Sequence, residues 1–152
     1  MILYLDTSAL VKLYIEEAGS TAVATVVERA AAVATARITY AEARAAFARH
    51  TQAGGLTPVE LRHVVRHLDE EWGQYSLVEV TDAVVHRAGA LAERHKLRGY
   101  DAVQIAAALI ETVKANGLEP YAYLRRVFTV LPATTSVADI EALLPWAQPA
   151  PN

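Results

Sequence analysis

The feature that most constrains this chain is the alternation of short apolar runs with longer segments of helical period. Ile2-Leu3-Tyr4-Leu5, Ala32 to Ala36 and Leu77 to Val80 have the length and content of buried strands. Between and after them the periodicity predicts helices over Ser8–Glu16, Ser20–Ala30, Thr39–Ala53, Asp82–His95 and Tyr100–Asn116. Another helix carries Leu61, Val64, Val65, Leu68, Trp72 and Tyr75 on one face, and Thr57-Pro58-Val59-Glu60 supplies its capping box with proline at the first helical position. Strands alternating with helices imply a mostly parallel sheet with helices covering both faces, so the expected fold is an α/β sandwich around a short parallel sheet.

The 152 residues suffice for one domain with a single core. The chain has no cysteine, which removes disulfides, thiolate metal sites and cysteine nucleophiles, and points to a reducing cytoplasm. The start is apolar but lacks a basic leader, and no apolar run approaches the roughly 20 residues of a membrane span, so no processing and no membrane association are expected. With a net charge of -3, a nucleic acid would have to be held by a local basic patch or through metal ions.

Three carboxylates occupy informative places. Asp6 closes the first apolar run, and ligands of parallel sheets bind at the carboxyl ends of strands; the same position suits a helix N-cap. Glu42 stands three residues after Thr39, where a capping box by itself explains a glutamate without any chemistry. Asp101 opens an almost wholly apolar helix whose only polar side chains up to residue 111 are Asp101, Gln104 and Glu111. At about 100° per residue these three form a polar seam roughly 80° wide, although an acid in a first turn also complements the helix dipole. Clustered carboxylates are hard oxygen ligands suited to Mg²⁺ or Mn²⁺, and such a metal can activate water for phosphodiester hydrolysis.

Other chemistries lack support. His63 and His67 share a helix face but have no evident third ligand, no phosphate-binding glycine loop occurs, and Thr7 and Ser8 have no placed base. An aspartyl-phosphate site would need a second acid beside Asp6, where Thr7 and Ser8 stand.

Leu3-Tyr4-Leu5-Asp6-Thr7-Ser8-Ala9-Leu10, Thr39-Tyr40-Ala41-Glu42 and Arg98-Gly99-Tyr100-Asp101-Ala102-Val103-Gln104 together resemble the PIN-domain ribonucleases, specifically VapC-type toxins, over about residues 1–113. The resemblance implies a three-layer α/β/α sandwich and a Mg²⁺- or Mn²⁺-dependent endoribonuclease. It further implies Asp6, Glu42 and Asp101 as catalytic metal ligands, with Thr7 or Ser8 supporting the site. The partners it implies are RNA, a VapB-type antitoxin and a second copy in a homodimer. Lys12, Arg37, Arg44, Arg94, Lys96 and Arg98 are candidate phosphate contacts, and each also suits ordinary solvated surface.

The family's next strand, with its fourth acid, is not evident after the Asp101 helix. From Lys114 onward the chain resembles the tail of an insertion-sequence transposase family, which predicts a foreign helical segment over 114–148 before a frayed tail at 149–152. Gly117 and Pro120 mark a helix end and a helix start, Tyr121, Leu124, Val127, Phe128 and Leu131 form an apolar stripe, and Ser136-Val137-Ala138-Asp139 offers a last cap. Glu111 is about 15 Å along its helix from Asp101, too far to replace the fourth acid, and Glu119 and Asp139 have no defined position near it. Two functions follow: an active ribonuclease, or an impaired remnant that only binds an antitoxin or its own twin.

Overall fold

A computed structural model describes residues 2–118, 123, 126 and 142–147. The order is β1 (Ile2–Tyr4), α1 (Thr7–Val11), α2 (Ser20–Glu28), β2 (Ala32–Ala36), α3 (Thr39–Gln52), α4 (Pro58–Glu71), β3 (Ser76–Val78), α5 (Asp82–His95) and α6 (Gly99–Ala115), with short 3-10 turns at Trp72–Gln74 and Pro145–Ala147. Two compact units are formed by residues 1–107 and 108–152. The expected helix from Pro120, the apolar stripe that follows it and the cap at Ser136 lie outside the described residues.

The sheet is parallel throughout, in the order β1-β2-β3, with Leu3 opposite Val33 and Thr35 opposite Leu77. Alternation sends its side chains to two cores. On one face Leu3, Leu5 and Val33 meet Leu10, Val11, Ala43, Phe47, Val64 and Leu68 from α1, α3 and α4. On the other, Tyr4, Ala36, Val78 and Val80 meet Ala107 of α6. Both faces are therefore covered, as expected of an α/β sandwich.

The predicted capping box forms: Thr57 accepts from the Glu60 amide, and Glu60 accepts from the Thr57 amide at 2.8 Å. The helix expected over Ser8–Glu16 is shorter, because Lys12 turns its amine onto Glu17 (2.6 Å) and the Ala18 carbonyl (2.9 Å), closing a loop where a helix would continue. At α3 the capping box anticipated between Thr39 and Glu42 does not form. The helix starts at Thr39 as expected, but its cap is Ile38, with the Glu42 amide donating to Ile38 O, and the Thr39 hydroxyl is buried against Thr35 and Gln104.

Candidate metal-binding site at the carboxyl end of the sheet

The parallel arrangement puts the ends of β1 and β2 side by side, so the segments that follow them, α1 and α3, start at one edge of the sheet. Asp6 is the N-cap of α1. Its carboxylate accepts from the Ala9 amide at 2.8 Å and lies 2.9 and 3.0 Å from the Ser8 hydroxyl, which fixes its rotamer while leaving the group exposed. Both roles considered for Asp6 are thus compatible: the cap orients the acid, and solvent reaches it.

Glu42 has lost its capping explanation and stands half-buried in the first turn of α3. One oxygen, Oε2, accepts a short hydrogen bond from the Thr7 hydroxyl and another from Gln104 Nε2 at 2.8 Å. Thr7 therefore ties Glu42 to the residue beside Asp6. Asp101 is exposed in the first turn of α6, three residues before Gln104 and on the same side of the helix.

Gln104 joins these parts. Its Oε1 accepts from the Tyr4 hydroxyl at 2.7 Å, and its Nε2 donates to Glu42 and, at 2.9 Å, to Thr39, with Thr7 Oγ1 3.2 Å away. A carboxylate offers no proton, so the amide nitrogen faces Glu42, and its two protons serve Glu42 and Thr39 while its oxygen accepts from Tyr4. Gln104 is buried and connects β1, α1, α3 and α6 across up to 100 residues of sequence. The polar seam on α6 was its visible signal; the bridging role was not, because none of its partners is local. The seam's third member, Glu111, instead lies 3.9 Å from Lys114.

Among the described residues, Asp6, Glu42 and Asp101 form no ion pair with lysine, arginine or histidine, whereas Glu17, Glu70, Glu71, Glu79 and Glu111 all do. Their donors are neutral hydroxyls, an amide side chain and a backbone N–H. An oxygen-rich edge without protein cations suits a hard, hydrated divalent ion, which needs only one or two carboxylates and completes its shell with water. Among the described residues no three histidine, aspartate or glutamate side chains converge closely enough to enclose a metal ion.

The candidate phosphate contacts divide in two. Lys12 pairs with Glu17, Arg37 with Glu79 at 2.6 Å, and Arg44 donates to the Tyr40 hydroxyl at 2.7 Å, whereas Arg94, Lys96 and Arg98 are exposed and, among the described residues, in no ion pair. His63 and His67, set aside as a zinc pair, contact Arg66 (3.1 Å) and Glu71 (3.2 Å). Among the described residues no helix is long and apolar enough to cross a membrane.

Comparison with known proteins agrees with this architecture. Residues 108–146 match the IS66 C-terminal element, which begins six residues before Lys114, and the likeness to a transposase tail is thus confirmed. Two ribonucleases of Mycobacterium tuberculosis, VapC45 of strain CDC 1551 and VapC49 of strain H37Rv, are each 38% identical to the chain over 128 residues, covering 84% of this chain and 88% of theirs. The PIN domain matches residues 3–119, and with that span and those relatives the chain belongs to the PIN domain family.

Proposed function

We propose that this chain is a divalent-metal-dependent endoribonuclease, the toxin of a VapBC-type pair, with Asp6, Glu42 and Asp101 as its metal-binding acids. The observation that carries this reading is Glu42: a half-buried carboxylate with neutral donors, tied through Thr7 to the Asp6 end of β1 and through Gln104 to the helix of Asp101. The likeness to the two VapC ribonucleases supports RNA as substrate and an antitoxin of the VapB type as partner. Mg²⁺ or Mn²⁺ is the cofactor, and the expected setting is a cytoplasmic homodimer.

When bound, the ion supplies an activated water and screens the charge that develops on the phosphodiester. The chain's own residues hold the ligands. Ser8 and the Ala9 amide lock Asp6 in one rotamer, so that no rotational freedom is lost when a cation arrives. Thr7 and Gln104 both engage Glu42 Oε2, which leaves Oε1 as the oxygen available to the ion. The test is RNA cleavage by the purified chain in Mg²⁺ or Mn²⁺ against EDTA, with Asp6→Ala beside it. Metal-dependent cleavage abolished in Asp6→Ala is expected; equal cleavage by the mutant overturns the site.

The second reading is an impaired PIN remnant that engages an antitoxin or a second copy but cuts nothing. It is favoured by the absence of a three-acid cage among the described residues and by the IS66 element covering 108–146, where the family's fourth acid is expected. We divide the chain into a nuclease part, 1–113, a foreign helical segment, 114–148, and a tail, 149–152. The proposed origin is insertion of a mobile element that replaced the natural end. Sequencing the locus should find transposase remnants just downstream, and a locus without them removes that origin.

A further inference from the structure

Resting on the ribonuclease reading, we propose that Tyr100 is a stacking platform for an unpaired base of the RNA, flanked by a phosphate-binding turn made of Arg94, Lys96 and Arg98.

Tyr100 differs from every other tyrosine whose side chain is described. Tyr4, Tyr14, Tyr40, Tyr75 and Tyr123 each make a hydrogen bond through the hydroxyl. Tyr100 is 62% exposed and, among the described residues, has neither a hydrogen bond nor a ring partner. A single exposed hydrophobic side chain needs no ligand to explain it; what sets Tyr100 apart is that it directly precedes Asp101 and follows a run of cations.

Its position names the ligand. Tyr100 precedes Asp101 directly and lies four residues before Gln104, on the helix face from which Gln104 reaches Glu42. Side chains on a helix lean toward its N-terminus, so the exposed ring extends from the start of α6, beside Asp101. The seven residues from Arg94 to Tyr100 carry three permanent cations and no acid, in a chain whose net charge is -3. All three cations are exposed, and among the described residues none is in an ion pair. Lys96 closes α5 in the left-handed conformation at φ 55°, the only non-glycine residue with positive φ among those described.

A bare ring beside exposed guanidinium and ammonium groups is the arrangement by which proteins hold single-stranded nucleic acid. Bases stack on the ring while the backbone follows the positive charges. A duplex keeps its bases stacked on one another, so the platform selects unpaired RNA.

The test is fluorescence anisotropy with labelled single-stranded and duplex oligoribonucleotides, with Ca²⁺ in place of Mg²⁺ and the strands checked for integrity. Tyr100→Ala should weaken single-strand binding roughly tenfold, while Tyr100→Phe retains it, because the ring and not the hydroxyl does the stacking. The salt dependence should be unchanged in Tyr100→Ala and shallower by about one in Arg98→Ala, since only the latter removes a phosphate contact. Tyr100→Trp should show indole quenching on binding. Wild-type affinity in Tyr100→Ala, or equal affinity for duplex and single strand, overturns the platform and leaves the ribonuclease reading standing. Tyr100-dependent binding together with undiminished cleavage by Asp6→Ala has the opposite meaning, sparing the platform and overturning the catalytic site. No RNA binding by the wild type overturns both.

Discussion

Two glutamates, Glu42 and Glu71, each accept hydrogen bonds from hydroxyl side chains at the sheet's helical cover, yet they sit in opposite settings. Glu71 accepts from Tyr14 at 2.7 Å and faces His67 at 3.2 Å, and the Tyr14 hydroxyl also meets that of Tyr75 at 2.7 Å. The Tyr14 ring packs on Phe47 and His67, next to the core built on α1, α3 and α4. Glu42 has Thr7 and Gln104 for donors, no ion pair among the described residues, and Asp6 beside its Thr7 partner. A carboxylate engaged by a tyrosine hydroxyl and a histidine ties helices together. One held by neutral donors at an open sheet edge keeps its charge for something that arrives later. Local sequence does not separate the two, since both are acids on amphipathic helices.

The comparison is broken most directly by matched substitutions. Glu42→Gln should lower metal-dependent RNA cleavage roughly 100-fold while leaving the melting temperature nearly unchanged. Glu71→Ala should do the reverse, costing about 2 kcal/mol in urea unfolding as Tyr14 loses an acceptor, with cleavage retained. If the two substitutions act alike, the division between binding and structural acids is wrong.

A smaller effect sharpens the aromatic side of the comparison. Burial, and then the bonds to Tyr75 and Glu71, push the Tyr14 phenol well above its ordinary value of 10.0, and burial raises Tyr75 as well. A raised value means that the folded state holds its proton where the unfolded chain releases it. The stabilisation is therefore complete below pH 10 and is lost as the pH rises above it. Thermal unfolding between pH 9 and 11 should show a steep alkaline fall in the wild type and a shallower one in Tyr14→Phe.

The smallest expected effect concerns Lys96. A glycine relieves the left-handed strain at φ 55°, so Lys96→Gly should stabilise the fold by about 1 kcal/mol and, by removing a cation, weaken RNA binding. Unchanged stability would mean that the turn is not strained.

Much of the framework was legible before any coordinates. Ala32–Ala36 and Asp82–His95 match their expected bounds, and the Thr57 cap and the apolar face of α4 form as read, because each is governed by period and capping within a few residues. Boundaries slipped where a side chain found a partner outside its own helix, as when the bond from Lys12 to Glu17, five residues on, ended α1 early. The Thr39 capping box failed for the same reason: its hydroxyl had better partners in Thr35, on the neighbouring strand, and in Gln104, 65 residues away.

The sequence by itself determined the alternation of strands and helices, the parallel sheet, and the places of Asp6, Glu42 and Asp101 at element ends, since all of these follow from local period and local backbone chemistry. Only the tertiary structure decided that Glu42 leaves its cap, that Gln104 becomes the bridge between β1, α1, α3 and α6, and that Tyr100 stays exposed. The physical reason is that a buried side-chain amide must find all its partners wherever the packed chain supplies them, and here they come from 62 to 100 residues away.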